Sequence, residues 1–177
     1  MSFEVAVCRQ PDVTAPLDDL TRTFKEVFSQ LASGVCVVTF WRDGRLHGFT
    51  ATSVTSVSLN PRRVLFCVSQ AGESYSCLAS GSVIGISILN AEQRVLSDRF
   101  ARKVVFGAYD DVKIADRAQQ APLLEGALGH VIAVVAELIP SGDHTIVLCD
   151  VTSAHAGGNG VPLLYCRRTY HSLRHAI

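Results

Sequence analysis

Six hydroxyl side chains fall within nine positions of one segment. They are Thr50, Thr52, Ser53, Thr55, Ser56 and Ser58, inside Gly48-Phe49-Thr50-Ala51-Thr52-Ser53-Val54-Thr55-Ser56-Val57-Ser58-Leu59-Asn60-Pro61. Hydroxyls both donate and accept hydrogen bonds, so such a run suits phosphate, sugar or ring carbonyl oxygens. β-branched Thr and Val favour an extended backbone, and Asn60-Pro61 reads as the turn that ends it. In a strict strand Thr50, Thr52, Ser56 and Ser58 face one way and Ala51, Ser53, Thr55 and Val57 the other. Hydroxyls on both faces fit a backbone that bends around a polar ligand. They also fit an edge strand with a solvated Thr/Ser face, and composition leaves the two open.

Gly142-Asp143-His144 is a second candidate, a titratable side chain at a tight turn next to a strand. Turns on a rigid sheet are where reactive groups tend to be presented. A neutral imidazole there donates to a carbonyl or stacks on a planar ring. The alternative is an Asx-type turn at Asp143 with His144 as an ordinary strand residue. A third candidate is Ser97-Asp98-Arg99-Phe100-Ala101-Arg102-Lys103, three cations near the end of a helical pattern. They either complement the helix macrodipole or reach a bound phosphate.

Other chemistries lack their signatures. Gly158-Asn159-Gly160 has no strand–turn–helix context, and no Gly-x-x-x-x-Gly-Lys is present. The six histidines show no ligand spacing with cysteines, so no metal site is expected. No nucleophile elbow supports hydrolase chemistry. Sixteen basic residues balance sixteen acidic ones, which argues against nucleic acid or an anionic membrane as partner. No apolar run approaches the roughly 18 residues of a membrane span. The first residues resemble no secretory or transit segment. The six cysteines form no C-x-x-C pair, and several sit in apolar runs as small hydrophobes. A cytoplasmic protein with reduced thiols is expected.

These candidates need a frame to hold them. Residues 1–17, with Pro11 and Pro16, lack periodicity and read as an N-terminal arm, leaving 18–177 as one domain. Leu20, Phe24, Val27, Phe28 and Leu31 recur at helical spacing, with Asp18 or Asp19 as N-cap. A strand over 35–41 turns at Asp43-Gly44 into the run from Leu46. Further strands are expected over 64–68, 83–89, 128–138, 145–151 and 162–166. A short helix is expected over 74–79, capped by Ser74, and a second over 91–102, with Val95, Leu96 and Phe100 on one side. The long loop over 104–121 carries Phe106, Gly107 and Tyr109. Mostly antiparallel strands with a few marginal helices predict an α+β barrel.

The motifs also come in a distinctive order. Gly34-Val35-x-Val37-Val38-Thr39 is followed by the hydroxyl-rich segment through Pro61. Leu96-Ser97-x-x-Phe100-Ala101, Gly142-Asp143-His144-Thr145, Pro162-Leu163-Leu164-Tyr165 and Tyr170-His171-x-Leu173 come after it. Over about residues 24–173 this resembles the flavin reductase family with the FMN-binding split-barrel fold, the short reductase components of two-component flavin monooxygenases. The resemblance implies an α+β fold, a mostly antiparallel split β-barrel with peripheral helices, paired as a homodimer with flavin near the interface. It implies an NAD(P)H:flavin oxidoreductase that uses FAD or FMN with NADH or NADPH. Freely diffusing reduced flavin would pass to a separate oxygenase that hydroxylates an aromatic compound.

Carried onto this chain, the resemblance puts Thr50, Ala51, Thr52, Ser53, Ser56, Val57 and Ser58 along the isoalloxazine and ribityl chain. Ser69, Gln70, Ala71, Ser74, Arg99 and Phe100 would hold the phosphate. His144, as the catalytic side chain, and Tyr170 would stand near the nicotinamide. Hydride transfer is then the cofactors' own chemistry, and the protein orders the rings and stabilises developing charge. Two departures stand out. Val54 replaces an aromatic, and Gln70-Ala71-Gly72-Glu73 stands where some relatives carry basic residues. Phosphate charge then falls to Arg99, Arg102, Lys103 or N–H groups. A non-enzymatic flavin-binding barrel and a split-barrel oxidase acting on its own substrate are the rival readings; the Gly-Asp-His turn favours a reductase.

Overall fold

The computed structural model describes residues 18–102, 108–115, 120–157 and 160–173. The arm over 1–17, with Lys103, Phe106 and Gly107, lies outside the described residues. Strands β1 (Ser33–Gly34), β2 (Cys36–Arg42), β3 (Arg45–Ala51), β4 (Thr55–Leu59) and β5 (Arg62–Ser69) come first. After them come β6 (Val83–Ile88), β7 (Gly129–Ser141), β8 (His144–Ala156), β9 (Leu163–Cys166) and β10 (Thr169–Ser172). Seven strands form one antiparallel sheet in the order β3-β2-β6-β7-β8-β5-β4, and β1-β9-β10 form a second. The fold is a mostly antiparallel α+β split barrel, as the motif order implies.

Asp43 and Gly44 take φ of 51° and 71° between β2 and β3, the left-handed pair that suits a two-residue hairpin. Register shifts at Ile132/Ala133 and Val135/Glu137 mark bulges that bend the long β7–β8 ribbon. Inside the curve lies a core of Val38, Phe66, Ile84, Ile86, Val135 and Val147, all buried. Burying each such side chain contributes about 1.5–3 kcal/mol. Residues Cys36 to Phe40 of β2 are all buried because the strand is covered on both faces. On the outer face Val35, Val37, Leu89, Phe100, Tyr109 and Leu124 form a second cluster. That cluster seats α2 (Arg94–Phe100) against the barrel. Where β3 and β4 part, the Ser53 hydroxyl accepts the Cys67 N–H at 2.9 Å and closes the seam onto β5.

The helices depart from the sequence expectation in detail. Helix α1 (Asp19–Ser29) starts as expected, with Asp18 accepting the Thr21 N–H at 2.7 Å. Its apolar stripe faces outward: Leu20, Phe24, Val27, Phe28 and Leu31 are each more than half exposed. The helix expected over 74–79 is a single 3-10 turn, Tyr75–Cys77, and Ser74 makes no side-chain cap. The helix expected over 91–102 opens with a 3-10 turn, Ala91–Gln93, fixed by an Asn90–Gln93 capping box, and its α-helical part ends at Phe100. Ser97 and Phe100 form its buried side, while Val95 is exposed. Strand β10 carries no turn signal in the sequence. Arg167 and Arg168 supply the positive φ of its hairpin, 50° and 61°. Among the described residues no helix is long and apolar enough to cross a membrane.

Candidate active site

The ends of four elements converge on one cleft of about 740 Å³. One wall is Gly48 to Ser53, where β3 ends and the chain bends away. Cys67, Val68 and Ser69 at the end of β5 and Ala71 to Ser74 in the next loop form another wall. Phe100, Ala101 and Arg102 at the end of α2 and His144 at the start of β8 complete it. A volume in this range suits a cofactor-sized ligand.

Local chemistry explains why α2 lies so close to β3. A Cβ on Gly48 would run into the Val38 carbonyl oxygen of β2 and stand 3.2 Å from Phe100 Cε1, so the strand pairing requires glycine here and the helix end packs tightly over it. Thr50 Oγ1 donates to the Ser97 carbonyl at 2.6 Å, tying strand to helix. The Ser97 hydroxyl pairs with Tyr170 Oη at 2.9 Å, tying the helix to β10. Phe100, fully buried, stacks on Tyr109 at 4.2 Å and 10°. Thr50 and Ser53 therefore use their hydroxyls within the protein. Among the described residues, Thr52, Ser69 and Ser74 line the cleft with hydroxyls the chain itself does not engage.

His144 sits opposite Ser69 at the last register pair of β5 and β8. Its Nδ1 lies 2.8 Å from Asp143 Oδ1. That hydrogen bond holds the Asp143 carboxyl below its ordinary range. An ionised carboxylate only accepts, so Nδ1 carries the proton and Nε2 is left for another partner. Gly142, with φ of 63°, permits the two-residue turn that brings Asp143 beside the ring.

Most of the expected site residues meet in this cleft: Thr50, Ala51, Thr52, Ser53, Ser69, Ala71, Ser74, Phe100 and His144. Six stand elsewhere. Ser56, Val57 and Ser58 ride on the edge strand β4, where Ser56 and Val57 are exposed and Ser58 is half-buried; Ser58 Oγ accepts the Asn60 N–H at 3.2 Å. Gln70 turns away and donates to the His144 carbonyl at 3.1 Å. Arg99 grips Asp111 through two bonds, at 2.6 and 3.1 Å, and also donates to the Ala108 carbonyl. Tyr170, under the Arg94 guanidinium at 5.4 Å and edge-on to Tyr165, lies on the far side of Ser97 and does not line the cleft.

Sequence reasoning left several lining residues unassigned: Gly48, Phe49, Cys67, Val68, Gly72, Glu73 and Ala101. Gly48 carried a usable signal, a glycine inside an expected strand. Glu73 and Arg102 bring one negative and one positive charge to the lining. No group of metal-ligating side chains occurs among the described residues.

Residues 28–174 match the flavin reductase like domain family. The chain belongs to the flavin reductase family. It is 34% identical over 150 residues to the actinorhodin polyketide dimerase of Streptomyces coelicolor, covering 84% of each chain. It is also 34% identical over 158 residues to a Rhodococcus opacus protein, the reductase component of a 4-nitrophenol 4-monooxygenase/4-nitrocatechol 2-monooxygenase, covering 88% of this chain and 82% of that one. A solved NADH:FAD oxidoreductase of Streptomyces globisporus C-1027, in complex with NAD and FAD fragments, superposes with a TM-score of 0.80 at 31% identity. That match covers 92% of this chain and 98% of the other. For a flavin reductase, a cleft that joins hydroxyls, an aromatic-backed helix end and an oriented imidazole is the feature to explain.

Proposed function

We propose that this cleft is where flavin and nicotinamide meet. Family membership carries the activity: the protein is an NAD(P)H-dependent flavin reductase whose reduced flavin serves a separate oxygenase. The observation that carries the site is the convergence of the Gly48–Ser53 wall and His144 on one cleft. Bound there, the two cofactors supply the hydride chemistry themselves.

The chain's own residues fit that ligand pair. Thr52, Ser69 and Ser74 present hydroxyls to ring carbonyl and ribityl oxygens. Arg102 is the cation for a flavin phosphate, because Asp111 already holds Arg99. His144, held by Asp143, keeps Nε2 for the nicotinamide side of the cleft. Phe100 and its Tyr109 backing give the wall a rigid apolar floor. FAD and FMN, and NADH and NADPH, all satisfy this donor set.

The same reading pairs two copies. The outward stripe of α1, and separately the exposed Val57 and Leu59 of β4, leave apolar side chains that a C2 partner would cover. Light scattering at micromolar concentration should report a dimer; a fully active monomer contradicts this. The oxygenase served acts on an aromatic compound, a reading supported by the Rhodococcus opacus relative. Free thiols at Cys36, Cys67, Cys77, Cys149 and Cys166 favour a reducing, cytoplasmic location.

The test is steady-state oxidation of NADH and of NADPH with FAD, FMN and riboflavin supplied in turn. NADH should be consumed with added flavin, and peroxide should form in air. Flavin binding without consumption of either nicotinamide would instead mark a flavin-binding barrel.

A further inference from the structure

We propose that Gln70 is a positioning residue for His144, an inference that rests on the reading of His144 as a nicotinamide contact. Gln70 follows directly after β5, just past the Ser69–His144 pair that ends the ladder with β8. Its backbone N–H donates to the Asp143 carbonyl at 3.0 Å. Its side-chain Nε2 donates to the His144 carbonyl at 3.1 Å and lies 3.3 Å from Thr145 Oγ1. One residue thus holds three consecutive residues of the turn and strand, and it does not line the cleft.

Those contacts answer a mechanical need. A two-residue turn with Gly142 at positive φ has little side-chain packing of its own, and the His144 side chain is about half exposed. The Asp143 carboxylate sets the rotation of the ring about its own bonds. It does not fix where the backbone of residues 142–144 stands relative to β5. The β5–β8 ladder does so only up to the Ser69–His144 pair; Gln70 carries the hold one residue further, to Asp143, and clamps the His144 carbonyl, with the fully buried Thr145 as the anchor. A carboxylate at position 70 would set an acceptor against the His144 carbonyl and lose the donor, while alanine removes the contact altogether.

The test is a double-mutant cycle on NADH turnover with flavin titration beside it. Gln70→Ala should lower kcat/KM for NADH by about threefold to tenfold, the loss of one or two hydrogen bonds, with flavin Kd unchanged. Gln70→Glu should do the same, and serves as the second variant if Gln70→Ala does not fold. In a His144→Ala background the Gln70 substitution should have no further effect on NADH kinetics. An equal loss in both backgrounds overturns the proposal, because Gln70 would then act independently of the imidazole. So does an unchanged kcat/KM in the single variants while His144→Ala alone is impaired. If His144→Ala itself leaves NADH kinetics intact, the reading of His144 fails first, and this inference falls with it.

Discussion

Residues 48–53 and 55–58 share one hydroxyl-rich composition, yet the first group walls the cleft and the second does not. The first group ends β3, which pairs with β2 over its whole length and packs under the end of α2. The second forms β4, an edge strand paired only with β5 and solvated on its open side. The solvated edge-strand reading fits 55–58, and the ligand-binding reading is the one proposed for 48–53. What separates them is the bend at 52–54, held by the Ser53–Cys67 hydrogen bond and not by any residue preference in the run itself.

The sharpest way to break this contrast is Gly48→Ala. A methyl group there collides with the Val38 carbonyl and crowds Phe100, neither of which can move without shifting strand or helix. Loss of about 2–4 kcal/mol in chemical denaturation is expected, with flavin affinity falling too. Ser56→Ala, on the other half, should stay within about 0.5 kcal/mol and leave flavin titration unchanged. Equal effects at the two positions would erase the distinction.

A second comparison sets Arg102 beside Arg99. Arg102→Ala should weaken FMN binding about tenfold, as expected for one charge-assisted hydrogen bond to phosphate, while riboflavin binding barely changes. Arg99→Ala should spare both and loosen the 108–111 segment, seen as faster hydrogen exchange there. At the seam, Ser53→Ala leaves the Cys67 N–H without its partner and should cost about 1–3 kcal/mol.

The smallest expected effect concerns His47, next to Gly48 on β3 and stacked on Phe40. Desolvation, with help from Arg42, pushes its pKa down, so the folded state favours the neutral ring. The unfolded chain then takes up its proton first. Stability is therefore full above about pH 6.5 and declines as pH falls from there toward the lowered folded value. His47→Gln should flatten the Tm–pH curve in that window and change nothing at pH 8.

How much of this was legible in the sequence follows the range of each interaction. Local signals worked: Asp18 as a cap, Asp43-Gly44 as a hairpin, and the strands. Long-range partners did not announce themselves. Asp111 claims Arg99 from twelve residues away, Ser97 claims Tyr170 from seventy-three, and Gln70 is drawn to His144 across seventy-four. The Arg167-Arg168 turn is set by docking on α1, where the Arg167 N–H reaches the Ser29 carbonyl at 2.6 Å, against the preferences of both arginines. The outward stripe of α1 has ordinary amphipathic spacing, which says that a face is apolar but not what covers it.

The central claim is that His144 serves the nicotinamide side of a cleft whose other wall holds the flavin. Steady-state NADH kinetics of His144→Ala, measured beside flavin titration of the same protein, tests it most directly. One lost hydrogen bond or stacking contact at a half-exposed turn should lower kcat/KM for NADH by roughly fivefold to tenfold, about 1 kcal/mol, with flavin Kd unchanged. Asp143→Ala should give a smaller loss of the same kind. Unchanged NADH parameters in a folded His144→Ala protein, or a loss of flavin affinity that accounts for the whole defect, would contradict the account.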